Sequence, residues 1–393
     1  MVGKIERFPI PKEMLEEWWG YPPNTFYSSA VKAGPFTFLG GEVGIDYKKR
    51  LIAGWDFETQ CETVFKNLAE TNKAHGISFE NYVQGYCYVT DIRNAKKFVE
   101  IAKKYLPDPL PFTATFEVKN NRNRWCGMTE GGLIEFLPII ANSGQKVERL
   151  SGRRDRARAT KITGQWGTWI FVSGEVGMDY KTGKMQPDAK SQAHQIFTNI
   201  RETLKEYGAT IENIVQGWCL MNDVPVLWHQ WIDVVNEEVP YRPPPMVCIM
   251  EARNRSNGWV GTTEGAVFEY CVVAYIPKAG DKIVRHKIPD EMNSEWWGYK
   301  PGEFYSAAIE AGPFVFLGGE VGINYSTRKI AGDDFKTQAR EIFKNIKSTL
   351  KQCGTSIDNV VSGFCMMTDV PNQWYHWIDI VNEEFPMRPP PMV

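Results

Sequence analysis

Apolar residues along this chain fall into continuous runs and helix-like spacings, in an order that is found three times. In the first occurrence, residues 56–76 keep the apolar spacing of an amphipathic helix, which Asp56 should cap at its start and Gly76 at its end. Apolar runs on either side predict strands. The predicted elements are strands at 27–31, 33–45, 79–90, 113–118 and 132–140, and helices at 56–76 and 93–105. The order is therefore two strands, a helix, a strand, a second helix and two closing strands.

One stretch marks the three copies. A-G-P-F-T-F-L-G-G-E-V-G-I at 33–45 returns as A-G-P-F-V-F-L-G-G-E-V-G-I at 311–323, and G-T-W-I-F-V-S-G-E-V-G-M at 167–178 is a looser copy. Each apolar run ends in a glycine pair or Ser-Gly followed by Glu-Val-Gly. This favours a buried strand that opens into a glycine bend, where backbone amides can meet a ligand.

The copies lie too far apart for solenoid repeats of about 20 to 50 residues, so each repeat should fold as a domain. We expect three domains, at 1–145, 146–280 and 281–393. The third repeat stops at R-P-P-P-M-V, whereas the same letters at 242–247 are followed by two more predicted strands. The third domain is therefore expected to lack its last two strands, because the sequence is a fragment or because something outside it completes the domain.

Composition and charge indicate an ordinary globular protein. Hydrophobic residues are 43% of the chain and charged residues 23%, and 45 basic against 47 acidic residues give a net charge of −2. This balance favours neither a nucleic-acid partner nor a membrane partner. The basic run R-R-D-R-A-R at 153–158 is expected to be a solvated face or a linker.

The cysteines and the apolar runs bear on the compartment. Cys87, Cys219 and Cys365 occupy one equivalent position per repeat inside an apolar strand, and the sequence has no C-x-x-C pair. We therefore expect reduced thiols and a cytoplasmic protein. No apolar run reaches the ~18 residues of a membrane helix, and the N-terminus lacks the apolar core of a signal peptide.

The ordered motifs Y-S-x-A-V, F-x-F-x-G-x-x-G, a helix ending in Gly, and a strand ending in T-D resemble the Rid family of enamine/imine deaminases, also called the YjgF family. The resemblance implies an α+β fold like chorismate mutase, in which a sheet carries two helices on one face. Family members are homotrimers with small-molecule clefts at the subunit interfaces. One chain with three such units would be a pseudo-trimer, sheets inside and helices outside, whose clefts can differ.

The sequence departs from the family where the family binds its substrate. Rid deaminases carry an arginine in a P-x-R-S-T-V-E-V strand, and it pairs with the substrate carboxylate. Neutral residues stand at that position: Thr113, Val247 and Val393. The family's late glutamate falls on Leu137 and Cys271, while the preceding glutamate is kept as Glu135 and Glu269. This argues against ordinary 2-aminoacrylate deamination and leaves either binding or a different chemistry.

A glutamate at the glycine bend of every repeat is the leading candidate for that chemistry. Glu42, Glu175 and Glu320 stand where the family commonly has glutamine, and partial burial would raise the pKa of such a carboxyl toward acid/base use. The alternative is a structural carboxylate that accepts hydrogen bonds from the bend. The bend glycines and the tyrosine of the preceding strand are predicted to contact the substrate: Gly41, Gly174, Gly319 and Tyr27.

A polar insert between the closing strands is a second candidate. N-N-R-N-R-W-C-G-M-T-E-G at 120–131 corresponds to N-R-S-N-G-W-V-G-T-T-E-G at 254–265. The predicted substrate-binding residues in it are Trp125, Trp259, Glu130, Glu264 and Arg255. Tryptophan stacks on flat rings and arginine binds polar edges, so a ligand lid is one interpretation and an inter-domain contact loop is the other.

The remaining motifs favour packing. W-W-G-Y at 18–21, copied at 296–299, is expected to fill a domain interface, with a pocket wall as the alternative. The helix tryptophans Trp228, Trp231, Trp374 and Trp377 are expected in the core or in packing against a neighbouring chain. The five histidines lack metal-ligand spacing, and we expect no cofactor. The partner should be a small-molecule ligand, with self-association of pseudo-trimers possible. Two functions stay open: a hydrolase or deaminase, and a non-catalytic binding or scaffold protein.

Overall fold

The computed structural model describes residues 4–10, 27–111, 113–118, 125–126, 129–245, 247–288, 298–299 and 305–391. Contacts divide the chain into two compact units. One unit comprises Met1–Gly144, Val321–Ile323 and Ile330–Val393, and the other Gln145–Glu320 and Asn324–Lys329. The third repeat is thus shared between the units, and the predicted domain boundaries stay a prediction.

The first repeat is a mixed sheet with two helices. Its strands are β1 (Glu6–Pro9), β2 (Ser28–Ala33), β3 (Phe36–Leu39), β4 (Glu42–Val43), β5 (Ile45–Asp46), β6 (Leu51–Ile52), β7 (Tyr82–Val89), β8 (Ala114–Glu117) and β9 (Ile134–Ala141). Its helices are α1 (Phe57–His75) and α2 (Ala95–Ala102). The sheet order is β1-β2-β3-β9-β7-β8, with β4 also pairing with β9. The one parallel pair is β7 with β8.

The helix ends follow the sequence signals. Asp56 accepts a hydrogen bond from the Thr59 amide at 2.8 Å, and Gly76 ends α1 in the left-handed conformation at φ 63°. The predicted second helix at 93–105 is shorter than expected, because a 3-10 turn at Ile92–Asn94 precedes α2.

The second repeat has the same order of elements. Its strands are β10 (Lys146–Leu150), β11 (Ala159–Gly164), β12 (Gly167–Val176), β13 (Met178–Asp179), β14 (Lys184–Met185), β15 (Ile214–Met221), β16 (Val247–Glu251) and β17 (Phe268–Ile276), and its helices are α3 (Ala189–Glu206) and α4 (Val224–Glu238). The sheet order is β10-β11-β12-β17-β15-β16. It matches the first sheet position for position.

The third repeat keeps its helices and its first hairpin. Its strands are β18 (Val284–Lys287), β19 (Ser306–Ala311), β20 (Phe314–Leu317), β21 (Ile323–Asn324) and β22 (Lys329–Ile330), and its helices are α5 (Phe335–Gln352) and α6 (Val370–Glu384). The strand expected at 360–367 is not formed, so that expectation is wrong. Its counterparts β7 and β15 each lie between two strands that follow in the chain.

An aromatic contact between the two helices recurs in the core of each repeat. Ring centroids are 6.0 Å apart for Phe65 and Phe98, 5.7 Å for Phe197 and Trp231, and 5.2 Å for Phe343 and Trp377. The helix tryptophans therefore serve packing, as predicted. Trp231, Trp374 and Trp377 are buried, and Trp228 packs against the second-repeat core.

Two further sequence features, the cysteines and the apolar segments, can be located in the structure. None of the eight cysteines forms a disulfide, and Cys87 and Cys219 are fully buried. No helix in the described part of the chain is both long enough and apolar enough to cross a bilayer.

Candidate functional site

The bend glycine leaves room for a second glutamate. A Cβ atom on Gly41 would lie 1.8 Å from Glu135 Oε1, and one on Gly174 would lie 2.2 Å from Glu269 Oε1. Both glutamates come from the central strand beside the bend, where Val43 pairs with Glu135 and Val176 with Glu269. Each of these two bends therefore brings two carboxyl groups together. The predicted ligand contact of these glycines stays a prediction.

In the first repeat, Glu42 is held by two neighbouring side chains. Its Oε1 accepts hydrogen bonds from the Tyr47 hydroxyl and from Asn67 Nδ2, the latter at 2.9 Å. Burial raises the pKa of Glu42 to about 7, and the carboxylate of Glu135 adds to the rise, while the bonds from Tyr47 and Asn67 oppose it. Glu42 therefore titrates near neutral pH.

Glu135 and Tyr27 complete the first-repeat site. Burial raises the pKa of Glu135 to about 7. The pKa of Tyr27 is also raised by burial, and by the charges of Glu135 and Glu42, which places its hydroxyl near both carboxyl groups. All three residues are half-buried. Part of each residue therefore remains accessible to solvent.

The second-repeat site is filled by arginines of the chain itself. Arg156 Nη2 donates to Glu269 Oε1 at 2.6 Å, and their side chains are only 2% and 1% exposed. Arg154 Nη1 lies 3.7 Å from the same oxygen, and its Nη2 donates to the Gly174 carbonyl. The prediction of a solvated face or linker is therefore wrong for these two arginines, because they neutralise buried carboxylates.

The same arginines influence the pKa of Glu175. It is 3% exposed, and burial raises its pKa, while the charges of Arg154, Arg153 and Arg156 and a hydrogen bond from Tyr180 oppose the rise. Register explains the difference between the repeats. Arg156 lies three residues before Ala159, which pairs with Val172 as Ala30 pairs with Leu39 in the first repeat.

By that register Arg156 takes the place of Tyr27 and of Tyr305. The signal was present in the sequence, since R-A-R-A-T replaces Y-S-S-A-V.

The third-repeat site combines a carboxyl group with a thiol from the second repeat. Glu320 Oε2 accepts a hydrogen bond from the Tyr325 hydroxyl, and burial raises the pKa of Glu320 to about 7. A Cβ on Gly319 would lie 3.7 Å from Cys248 Sγ. Burial raises the pKa of Cys248 to about 12, so the group is a thiol at neutral pH. Burial raises the pKa of Tyr305, and the charge of Glu320 adds to the rise.

Sequence reasoning missed the helix residues that support the bends. An asparagine on the first helix of each repeat donates to carbonyls just after the bend: Asn67 to Ile45, Asn199 to Val176 and Met178, and Asn345 to Ile323. Its signal is the recurring F-x-N on that helix, at residues 65–67, 197–199 and 343–345. These asparagines fix the backbone that presents each glutamate.

The predicted lid residues are at least partly exposed to solvent. Glu130, Glu264 and Arg255 are exposed, and Trp125 and Trp259 are half-buried. The contact from the second insert to the site runs through Thr263, whose Oγ1 accepts from Arg154 Nη1 at 3.2 Å. The lid role of the five residues stays a prediction.

The whole first W-W-G-Y segment at 18–21, and Trp296 and Trp297 of the second, lie outside the described residues. Tyr299, which ends the second copy, donates its hydroxyl to Asp233 Oδ1 on α4 at 3.2 Å. For this residue the predicted packing role against another repeat is supported. None of the three bends gathers three metal-ligating side chains among the described residues.

A family model described as Endoribonuclease L-PSP matches the chain three times, at residues 21–125, 160–260 and 299–392. The chain belongs to this family, the Rid family. The three matches confirm the predicted α+β class and the tandem arrangement of Rid domains.

Rid-family relatives each correspond to part of the chain. Reactive Intermediate Deaminase A, chloroplastic, of Arabidopsis thaliana is 34% identical over 92 residues, which is 23% of this chain and 49% of that protein. A RutC family protein of Pyrococcus horikoshii is 33% identical over 92 residues, covering 23% and 73% of the two chains. Protein mmf2, mitochondrial, of Schizosaccharomyces pombe is 32% identical over 115 residues, covering 29% and 86%.

Solved structures of Rid proteins align in the same way. Protein YJGH is 26% identical, covers 34% of this chain and 98% of its own, and has a TM-score of 0.28. Yeast Mmf1 is 15% identical with a TM-score of 0.28, and covers 34% and 100%.

Proposed function

We propose that this Rid-family protein is a hydrolase or deaminase that acts on a C–N bond of a small, planar, nitrogen-containing metabolite, with Glu42 and Glu320 as acid/base groups. The observation that carries the proposal is a bend glutamate bonded to a tyrosine hydroxyl, with a pKa of about 7. A group that titrates near the working pH can both accept and donate a proton.

The proposed reaction is the hydrolysis of an imine. The protonated glutamate gives its proton to the imine nitrogen, and the carboxylate then takes a proton from water as the water oxygen bonds to the carbon. The glutamate returns that proton to nitrogen. It then takes the hydroxyl proton as the C–N bond breaks, so that a carbonyl compound and ammonia or an amine leave and the glutamate is protonated again. Tyr47 and Tyr325 orient the carboxyl groups through their hydrogen bonds.

Glu175 is the weakest of the three proposed catalytic groups. Arg154 and Arg156 supply positive charge at its bend, which opposes the rise of its pKa. A carboxylate with cationic neighbours holds its proton less readily at neutral pH. We therefore place the reaction at the first and third repeats.

We also propose that the repeats assemble as a pseudo-trimer with ligand clefts where they meet. Two contacts between repeats support this. Ser28 Oγ donates to the Pro389 carbonyl at 2.7 Å, and Ser306 Oγ donates to the Pro244 carbonyl at 2.6 Å. Small-angle X-ray scattering tests the assembly: a compact chain of this length should have a radius of gyration of about 21 Å, and a clearly larger value would contradict it.

The activity is tested with single glutamine variants. The purified protein is assayed for ammonia release from a panel of small imines, amidines and guanidines. Glu42→Gln and Glu320→Gln should each lower turnover at their own site, and the double variant should lose about 100-fold or more. Glu70→Gln, on the exposed side of α1, is the matched control. Unchanged turnover in the double variant would reject both glutamates.

The second candidate function is a binding or scaffold protein without catalysis. Neutral Thr113, Val247 and Val393 at the family's arginine position favour it. A thermal-shift screen against metabolites, followed by a turnover assay on every hit, separates the two functions. Ligands that raise the melting temperature but are recovered unchanged would favour binding.

A further inference from the structure

The second repeat shows which chemical group suits the paired bend glutamates. Two guanidinium groups lie there, and Arg156 bonds to Glu269 in a site closed to solvent. Arg154 lies near Glu269 and donates to the Gly174 carbonyl. A planar cation with several N–H donors thus satisfies both a carboxylate and the backbone of the bend.

The first repeat has the same acceptors with a different neighbour. Gly41, Glu42 and Glu135 correspond to Gly174, Glu175 and Glu269, while Tyr27 stands at the position of Arg156. Within the described ranges, no lysine, arginine or histidine forms an ion pair with Glu42 or Glu135. Burial raises the pKa of both carboxyl groups to about 7.

We propose that the first repeat binds a small guanidinium or amidinium compound between Glu42 and Glu135, as the second repeat binds a guanidinium group of its own chain to Glu269. The ligand's N–H groups bond to both carboxylates and to the carbonyl of Gly41. The inference rests on the proposed ligand site at the bend, and not on whether a reaction follows.

Charge selects this ligand class over the anions that ordinary family members bind. The neutral Thr113 removes the guanidinium that would receive a substrate carboxylate, and two glutamates repel such a group. The third repeat should bind the cation less well. Its bend pairs Glu320 with the neutral thiol of Cys248, so it offers one carboxylate among the described residues.

Calorimetric titration with methylguanidinium chloride at about pH 8 tests the proposal, with ionic strength matched by sodium chloride. We expect one site per chain, and binding at least about tenfold weaker in Glu42→Gln and in Glu135→Gln, because each loses a charge-assisted hydrogen bond. Glu70→Gln should bind like the native protein. Urea, the neutral isostere, and trimethylammonium, a cation without the planar fork, should bind at least about tenfold more weakly.

The native protein alone gives a second readout. Because a cation binds the two carboxylates and not the carboxylic acids, its affinity should fall at least about tenfold from pH 8 to pH 5.5, with protons released on binding. This measurement does not depend on a variant folding. No binding of methylguanidinium or acetamidinium at about 10 mM, equal binding of urea, or an affinity that is independent of pH would overturn the proposal.

Chemical rescue in the second repeat probes the same geometry. Arg156→Ala removes the guanidinium that neutralises Glu269, and free methylguanidinium should restore part of the lost melting temperature while an equal concentration of sodium chloride should not. If methylguanidinium does not raise the melting temperature of the folded variant, the result contradicts the proposed guanidinium–carboxylate geometry.

Binding and turnover separate this inference from the proposed function. Binding at Glu42 without release of ammonia from any compound upholds the inference and rejects the enzyme. Turnover of neutral imines that depends on Glu42, without binding of methylguanidinium, upholds the enzyme and rejects the inference.

Discussion

At the scale of single residues, the three bend glutamates show that an equivalent position in each repeat does not determine the acid/base behaviour of the carboxyl group. Glu42 and Glu320 are each bonded to a tyrosine hydroxyl and titrate near pH 7. Glu175 lies in an environment that two arginines make positive. The same residue type at the same bend is therefore ready to exchange protons in two repeats and lies close to fixed positive charge in the other.

The raised pKa values predict how stability depends on pH. Burial raises the pKa of Glu42 and Glu135 from 4.5 to about 7, so between these values the folded state binds more protons than the unfolded state. Stability from these groups is present at low pH and is lost as pH rises to about 7. We expect the urea midpoint to fall from pH 5 to pH 7.5, and to fall less in Glu42→Gln/Glu135→Gln. An identical slope in the variant would contradict the assignment.

The buried ion pair of the second repeat makes a prediction of its own. Arg156→Ala leaves Glu269 buried without its strongest partner, so stability should fall by about 3–5 kcal/mol. Arg156→Met/Glu269→Leu removes both charges and should be clearly more stable than Arg156→Ala. Urea denaturation measures both. A double variant that is as unstable as the single would show that packing, and not the charge, accounts for the loss.

The bend glycines should differ in how they tolerate alanine. At Gly174 the added Cβ meets Glu269, which Arg156 holds in place, so Gly174→Ala should cost about 1–3 kcal/mol. At Gly41 the clash is with the end of Glu135, which can move, so stability should change less. Gly319→Ala makes only an ordinary contact and serves as the control. Melting temperatures in the order Gly319→Ala, Gly41→Ala, Gly174→Ala, from highest to lowest, would agree.

Repetition reveals some of these residues in the sequence, and register reveals the others. Glu42 could be found because a glutamate returns at each bend. Arg156 could not, since a run of four arginines and an aspartate looks solvated until strand pairing aligns Arg156 with Tyr27. The function of a buried charge depends on a partner more than a hundred positions away, as Glu269 is for Arg156.

At the scale of elements, the glycine of Glu-Val-Gly explains why the motif recurs. A Cβ on Gly177 would lie 2.5 Å from Gln192 Cα and 2.4 Å from Gln192 Cβ, so the strand and α3 approach at a distance that only glycine allows. Gln192 in turn donates to the Gly265 carbonyl at 3.0 Å and joins the insert to the helix. The glycine at this position is therefore needed for a helix–strand contact. It does not indicate a ligand site.

Alanine at that glycine should be among the most damaging changes in the chain. Gly177→Ala must move helix backbone and not merely a side chain, so we expect a loss of about 3 kcal/mol or more in urea denaturation. Gly319→Ala is again the control. A loss below about 1 kcal/mol would show that α3 can shift without cost.

Element prediction succeeded where the information is local and failed where it is not. Helix α1 has its cap, its apolar spacing and its final glycine within its own sequence. The apolar run at 360–367 has the composition of a strand, yet it forms no strand. Among the described residues, the hydrogen bond from the Gly363 amide to the Pro391 carbonyl at 3.1 Å is not continued into a ladder. A strand exists only with a partner, and composition does not supply one.

At the scale of the whole molecule, two serines connect repeats that are distant in sequence. Ser28 and Ser306 each donate a hydroxyl to a proline carbonyl of another repeat, and their own amides donate to the same carbonyls at 2.9 and 3.1 Å. Replacement by alanine keeps the amide bond and loses the buried hydroxyl bond, so each variant should lose about 1 kcal/mol.

Ser29→Ala is the matched control, because Ser29 donates its hydroxyl within its own repeat and near solvent. If repeats hold one another through these serines, Ser28→Ala and Ser306→Ala should lower the urea midpoint more than Ser29→Ala does. Equal midpoints for all three would mean that the serines report proximity of the repeats and contribute little to holding them together.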